Sequence, residues 1–282
     1  MTVLQALLLG IVQGVTEWLP VSSTAHLILV PWALGWWDPA HLSAEAARDH
    51  FAFDVLVQDG TLLAVVVYFR RDLLAIVGAV FDGLRRRAPL GTPEARLGWW
   101  LVIGTVPAVV VALVFKDFIK ELHGRPLVIA GILLGATAIL FLGERVGRKL
   151  RKADDLRASD ALAVGAAQAV AVLPGVSRSA ATIAGGLLVG LERPAAARFS
   201  FLLSIPVLLG AGAHETLGLI HDPAAARAML PALAAGFLAA AVVGYATIHW
   251  LLGYLARRPL TVFAWYRIAA AAALFAVAWA RG

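Results

Sequence analysis

Six apolar runs punctuate this chain, near residues 53–69, 98–115, 127–143, 199–217, 231–253 and 261–280. As helices with some tilt, each is long enough to cross about 30 Å of hydrocarbon. Two further apolar stretches, 3–37 and 161–191, are different. Each is interrupted, at Pro20 and at Pro174-Gly175, and each carries a polar motif at the interruption. Irregular backbone at membrane depth needs protein or water to satisfy its polar groups. Each stretch is therefore expected to form two half-length helices that enter and leave by the same face.

The order of these elements repeats. Residues 1–143 read as a broken hairpin followed by three spans, 144–160 as a linker, and 161–282 as a broken hairpin followed by three spans. Gln13 precedes Pro20 and a serine pair much as Gln168 precedes Pro174 and Ser177. A re-entrant hairpin returns to its own side, so each half crosses three times and the second half lies upside down. The predicted fold is an all-α polytopic membrane protein of two inverted-topology repeats, with its site at the repeat interface.

Loop charge agrees with that arrangement. Loops 70–97, 144–160, 192–198 and 256–260 hold 16 Lys and Arg, whereas 38–52, 116–126, 218–230 and the C-terminal Arg281 hold 6. The positive-inside rule makes the first set cytoplasmic and turns both termini outward. The segment 72–84 reads as an interfacial helix, with a seventh span as the alternative. Composition removes other classes. With 61% hydrophobic residues, 15% charged and a mean hydropathy of +0.82, the chain has too little polar surface for a soluble domain of 282 residues. The absence of cysteine excludes thiol catalysis, thiolate metal sites and disulfides. The net charge of +6 lies in short loops, which speaks for membrane topology rather than nucleic acid. The N-terminal MTVLQALLLGIVQG lacks the basic region of a cleaved signal peptide and reads as part of the mature fold.

The candidate chemistry sits in the two broken stretches, QGVTEWLPVSSTAHLIL (13–29) and LPGVSRSAATIAGGLL (173–188). Ionisable groups at membrane depth cost roughly 2.5–3.5 kcal/mol each, so they usually face a protein interior or a cavity. Gln13 and Glu17 share a helix face, as do Ser23 and His26. Ser22, Ser23 or Thr24 can cap the helix after Pro20. In the second stretch, Ser177, Arg178 and Ser179 open a helix whose exposed N–H groups form an anion site, and Arg178 adds a planar partner for phosphate oxygens. An anion cradle, a carboxylate for a hard cation (Glu17), a possible nucleophile (Ser23) and an acid/base or orienting group (His26) suit phosphoryl transfer. Within a bilayer, the substrate would be an amphiphile with a phosphate head and a lipid tail. The bland reading makes the serines plain caps, His26 an interfacial side chain and Arg178 a snorkelling one.

On these residues the chain resembles the undecaprenyl-diphosphate phosphatases, the bacitracin-resistance type of integral membrane enzyme. Gln13, Glu17, Pro20, Ser22, Ser23 and His26 match the first family signature, and Pro174, Gly175, Ser177, Arg178, Ser179 and Thr182 match the second. Further likeness in FDVLVQ (53–58), GTVPA (104–108) and AARFSFLLSIP (196–206) extends it over nearly the whole chain. The resemblance implies hydrolysis of undecaprenyl diphosphate to the monophosphate carrier of peptidoglycan synthesis in the bacterial plasma (inner) membrane. It also implies a site open to the outer face and a divalent cation, Mg²⁺ or Ca²⁺. By the same resemblance, Glu17, with Gln13, would hold or position the metal. Ser23 would be the nucleophile, and His26 would act as acid/base or orient the phosphate. Arg178 would clamp the diphosphate, helped by Ser22, Ser177, Ser179 and Thr182. The expected partners are the polyprenyl diphosphate and the bilayer, without nucleic acid, and a homodimer is left open. Three positions depart from the pattern: Gln13 where some members have Glu, Ala25 where Gly is common, and Asp59 where an apolar residue is usual. A lipid-phosphate flippase is the rival from another class, since it needs the cradle and the repeats but no nucleophile. Attack by Ser23 and attack by a metal-held water both remain open on sequence.

Overall fold

The computed structural model describes residues 1–37, 41–220 and 223–281. In chain order the helices are α1 (Val3–Thr16), α2 (Ser23–Ala33), α3 (Ala44–Tyr68), α4 (Arg70–Arg85), α5 (Pro93–Val114), α6 (Lys116–His123), α7 (Pro126–Gly135) and α8 (Thr137–Val146). They continue as α9 (Ala158–Val170), α10 (Arg178–Leu188), α11 (Arg193–Ile220), α12 (Pro223–Leu255) and α13 (Thr261–Arg281). Among the described residues, six stretches are long and apolar enough to cross a membrane: Ala44–Tyr68, Pro93–Val114, Pro126–Val146, Arg193–Gly218, Ala226–Leu255 and Thr261–Arg281. The protein is thus an all-helical, multi-pass membrane protein.

Helix ends and apolar windows differ where polar sequence continues a helix. α3 begins at Ala44, ahead of its apolar run, because the Ser43 side chain accepts the Ala46 N–H at 3.2 Å and caps the first turn. Helical hydrogen bonding does not require apolar side chains, so the polar residues from Ala44 to His50 extend it. α4, at 16 residues, is only about 24 Å long and is not among the six candidate spans. Leu74, Val77, Phe81 and Leu84 form an exposed apolar stripe on it, with arginines at both ends, as suits a helix lying at an interface.

Close backbone approach holds the helices together. A Cβ on Gly10 of α1 would stand 2.3 Å from the Gly236 carbonyl oxygen of α12, and one on Gly165 of α9 would stand 2.4 Å from that of Gly104 on α5. Lipid offers no hydrophobic gain on helix association, so tight van der Waals contact between small residues carries more of the stability. One hydrophobic core runs through both halves, from Trp18 and Val21 through Ala180, Ile183 and Leu187 to Phe199, Phe201 and Leu251.

The pairs α1/α2 and α9/α10 are built alike. α2 and α10 are each 11 residues long, and each is capped by a serine in a left-handed conformation, Ser22 at φ 74° and Ser177 at φ 75°. Such a backbone is costly for a residue with a Cβ, and it persists only where its surroundings impose it. Here the imposing group is Arg267 of α13, which is fully buried. Its guanidinium donates to the carbonyl oxygens of Pro20 (3.4 Å), Gly175 (3.1 Å) and Val176 (3.0 Å), so it reaches both interruptions. It also donates to Leu133 O (3.0 Å) and Thr137 Oγ1 (3.1 Å), where α7 gives way to α8.

Three ion pairs also fix helix ends. Glu144 accepts from Arg193, with Nε at 3.0 and 3.1 Å, and from the Leu260 N–H at 3.2 Å, tying α8 to the starts of α11 and α13. Arg198 donates to Asp72 at 2.5 Å and anchors α4. In the linker, Arg151 donates to Val189 O at 2.7 Å and to Asp160 Oδ2 at 2.6 Å, holding the end of α10 to the start of α9. Burial alone would raise the Asp160 carboxyl, but Arg151 and the Arg157 N–H hold it below the ordinary carboxylate value.

Two expectations follow for the purified protein. Replacing Arg267 with Met strands several buried carbonyls and should cost roughly 3 kcal/mol or more, read as a fall in melting temperature. For Asp160, a depressed carboxyl stabilises above its unfolded pKa and loses that contribution as pH falls through the folded value. Asp160→Asn should therefore cost roughly 1 kcal/mol at neutral pH, with its melting gap to wild type closing below about pH 4. A gap that stays constant into acid would remove the pair from the stability account.

Candidate active site

The two interruptions face each other across a cavity of about 220 Å³. Glu17 lies one residue past the end of α1, where its N–H still bonds Gln13 O, and it is 6% exposed. The carboxylate works on both sides. Its Oε2 accepts from Gln13 Nε2 at 2.8 Å and from Ser23 Oγ at 2.5 Å, while its Oε1 accepts from Arg178 Nη2. One carboxylate thus joins the end of α1, the first residue of α2 and the first residue of α10.

Arg178 is held by more than its ion pair. Its guanidinium lies 5.9 Å from the Trp18 ring centre, in a cation–π contact, and Trp18 packs edge-on against Phe201 at 5.0 Å. Its other terminal nitrogen, Nη1, is buried without a partner. Arg178 lines the cavity, and this donor is left unspent by the protein. The N-termini of α2 and α10 both open there as well. Ser22 Oγ accepts the Ala25 N–H at 3.4 Å and Ser177 Oγ accepts the Ala180 N–H at 3.2 Å. The first N–H groups of each helix are left pointing outward from a positive helix end.

Other residues singled out on sequence are placed differently. The His26 Nδ1–H donates to Ser22 O at 2.7 Å, so in the neutral ring Nε2 accepts from the Tyr266 hydroxyl, also at 2.7 Å. The two rings stack with centres 5.7 Å apart. His26 is not among the cavity-lining residues, and its ring braces the Ser22 turn. Ser179 Oγ donates to Leu19 O at 2.9 Å, while Thr182 Oγ1 donates to Arg178 O at 2.8 Å and meets Ser200 Oγ at 2.5 Å. Ser179 thus ties α10 to the first interruption and Thr182 ties α10 to α11, both outside the lining, whereas Ser22, Ser23, Ser177 and Arg178 belong to it.

For a hard cation, the donors at hand are Glu17 and the unpartnered, buried Oε1 of Gln13. Among the described residues, no three His, Cys, Asp or Glu side chains gather as a metal cage. Oxygen donors of this kind suit a hard cation, which Glu17 would hold from the lining and Gln13 from just behind it.

A carboxylate positioned on a serine, facing a partly free arginine across paired helix N-termini, is the equipment of phosphoryl transfer, and sequence comparison agrees. The family model described as bacitracin resistance protein BacA matches residues 6–273. The chain belongs to the BacA family. It is similar to proteins named undecaprenyl-diphosphatase from several bacteria. The Anaeromyxobacter dehalogenans (strain 2CP-1) protein is 45% identical over 277 residues, covering 98% of this chain and 92% of the relative. That of Chlorobium chlorochromatii (strain CaD3) is 44% identical over 275 residues, 95% and 94% of the two chains. That of Myxococcus xanthus (strain DK1622) is 43% identical over 269 residues, 95% and 86%.

Within this BacA-family chain, sequence reasoning passed over Trp18, Gln58, Gln168 and Tyr266 as site residues. Gln58 and Gln168 line the cavity. Gln168 carried a signal, because it stands nine residues before Ser177 as Gln13 stands nine before Ser22. Tyr266 carried none, being on the last helix. Asp59 is not in the lining. A Cβ at Gly212 of α11 would fall 2.1 Å from its Oδ1, so the glycine makes room for this carboxylate between α3 and α11. The pairing is testable by thermal melting. Gly212→Ala should destabilise wild type but stabilise an Asp59→Ala background by up to about 1 kcal/mol, since alanine is the better helix former. Equal effects in both backgrounds would dissolve the link.

Proposed function

We propose that this protein hydrolyses a polyprenyl diphosphate of the undecaprenyl class at its terminal phosphate, leaving the lipid monophosphate used in peptidoglycan synthesis. In a bacterium this recycling gives resistance to bacitracin. The observation that carries the reading is the Glu17 carboxylate, shared between the Ser23 hydroxyl and the Arg178 guanidinium at one cavity. A flippase would use the anion cradle but would leave the 2.5 Å Ser23–Glu17 contact without a task.

In this reading Glu17 accepts the Ser23 proton as Ser23 Oγ attacks the terminal phosphorus. The bond to the bridging oxygen breaks, and the prenyl monophosphate departs with the bridging electrons and takes up the proton from Glu17. Water then attacks the phosphoserine, passing a proton to Glu17, which returns it to Ser23 Oγ as orthophosphate leaves. Arg178 Nη1 and the first N–H groups of α2 and α10 bear on the non-bridging oxygens, where charge shifts during transfer. His26 holds the Ser22 turn in register. A divalent cation, Mg²⁺ or Ca²⁺, is assigned to Glu17 and Gln13 Oε1, where it neutralises diphosphate charge when bound.

The same proposal places the cavity in the membrane. We read α1/α2 and α9/α10 as re-entrant hairpins of two inverted repeats, supported by their equal second helices and matching left-handed serines. The excess of basic loops on one side supports a plasma-membrane enzyme with that side cytoplasmic, and the lining residues Ala108 and Ala112, toward the opposite end of α5, support a cavity open to the outer face.

The test is phosphate release from a C15 or C55 prenyl diphosphate by detergent-purified protein, with and without Mg²⁺ or Ca²⁺. Ser23→Ala should lower kcat by roughly a thousandfold or more, and a phosphoserine should be trapped in wild type by acid quench. Glu17→Ala should abolish the metal-dependent turnover. Metal-dependent release that survives in Ser23→Ala would move the attack to water.

A further inference from the structure

Gln168 is the second-hairpin counterpart of Gln13, but its surroundings differ. Gln13 Nε2 donates to Glu17, four residues on; four residues beyond Gln168 the chain has Val172. No carboxylate is there to receive the amide. Gln168 is 2% exposed, and both its Nε2 and its Oε1 lack a hydrogen-bond partner. It lines the same cavity as Glu17, Ser23 and Arg178. A buried amide with neither hydrogen bond made destabilises a fold, so its partner is to be sought in what the cavity holds. Around it the lining is largely apolar, including Ala108, Val207 and Leu208, and Gln58 spends its Nε2 on Asp54 O at 3.1 Å. Among the described side chains of the lining, the other buried donor without a partner is Arg178 Nη1. Two unpartnered donors at one cavity call for a ligand of several acceptor oxygens.

We propose that Gln168 contacts the substrate, its Nε2 donating to a diphosphate oxygen that Arg178 does not hold. The inference rests on the phosphatase reading and adds a residue to it. It follows from an asymmetry between the halves: the first hairpin uses its glutamine to position Glu17, and the second keeps its own for the ligand. Inorganic pyrophosphate offers the same oxygens as the lipid, so both serve as probes.

The experiment uses the full chain in detergent, with Gln168→Leu and Gln168→Glu beside wild type. Farnesyl diphosphate turnover gives kcat and KM, inorganic pyrophosphate is the competitor, and melting temperature reports the fold. Gln168→Leu removes the unpaired amide, so it should melt at or above wild type while kcat/KM falls by roughly tenfold, mainly through KM. The pyrophosphate inhibition constant should rise with it. Gln168→Glu should lose more, because a carboxylate there repels the anion. A Leu variant within about twofold of wild type in kcat/KM would overturn the proposal, as would a raised KM with unchanged pyrophosphate inhibition. If the Leu variant does not fold, Gln168→Asn asks the same question by withdrawing the amide one methylene. If wild type itself releases no phosphate, the phosphatase reading fails first. Gln168 is then judged by thermal shift with a methylene-bridged farnesyl bisphosphonate, whose stabilising effect on wild type should be lost in the Leu variant.

Discussion

A helix can be broken inside a membrane protein only if something else takes up the hydrogen bonds it gives away. In this chain one guanidinium does most of that work. Arg267 reaches the carbonyl of Pro20 at the first interruption and those of Gly175 and Val176 at the second, with Leu133 at a third break. The arginine is fully buried and its partners are neutral oxygens. Their number compensates for the absence of a full counter-charge among the bonds it makes. Because both interruptions converge on one side chain, the left-handed serines after them, and the helices they cap, are held in a fixed relation.

That relation brings Glu17 and Arg178 together from positions 161 residues apart. Each alone would be a costly charge at such depth; paired, they satisfy each other and leave defined remainders. Glu17 keeps a contact to Ser23, and Arg178 keeps one nitrogen for a ligand. The site is therefore strained in its backbone, balanced in its charge and incomplete in its hydrogen bonds. This combination suits a cavity that binds a highly charged head group and returns to the same state after each turnover.

The two hairpins divide the work unequally although their geometry is alike. Their equal second helices and capping serines follow from similar local sequence, whereas Glu17 against Val172 and Ser23 against Arg178 put the carboxylate and its serine on one side and the guanidinium on the other. Helix packing through Gly10 and Gly165 draws α12 and α5 close, while the ion pairs at Glu144 and Asp160 fix the ends of α8, α9 and α11.

By itself the sequence determined what local pattern controls. Apolar run length gave the spanning helices, and Pro20 and Pro174-Gly175 marked where helices stop. The polar residues at those points gave the candidate chemistry, with Glu17, Ser23 and Arg178 among them. Helix extent escaped it where caps such as Ser43 act without hydropathy. Which hydroxyl faces the cavity escaped it too, because Ser177 and Ser179 look alike along the chain, and only the fold makes one the cap of α10 and hands the other the Leu19 carbonyl. The tertiary structure alone decided that His26 braces a turn against Tyr266, that Asp59 fits beside Gly212, and that Gln168 is left without a partner. These are outcomes of contact between distant segments. A residue's chemical type limits the bonds it can make, but only packing settles which of them are already spent.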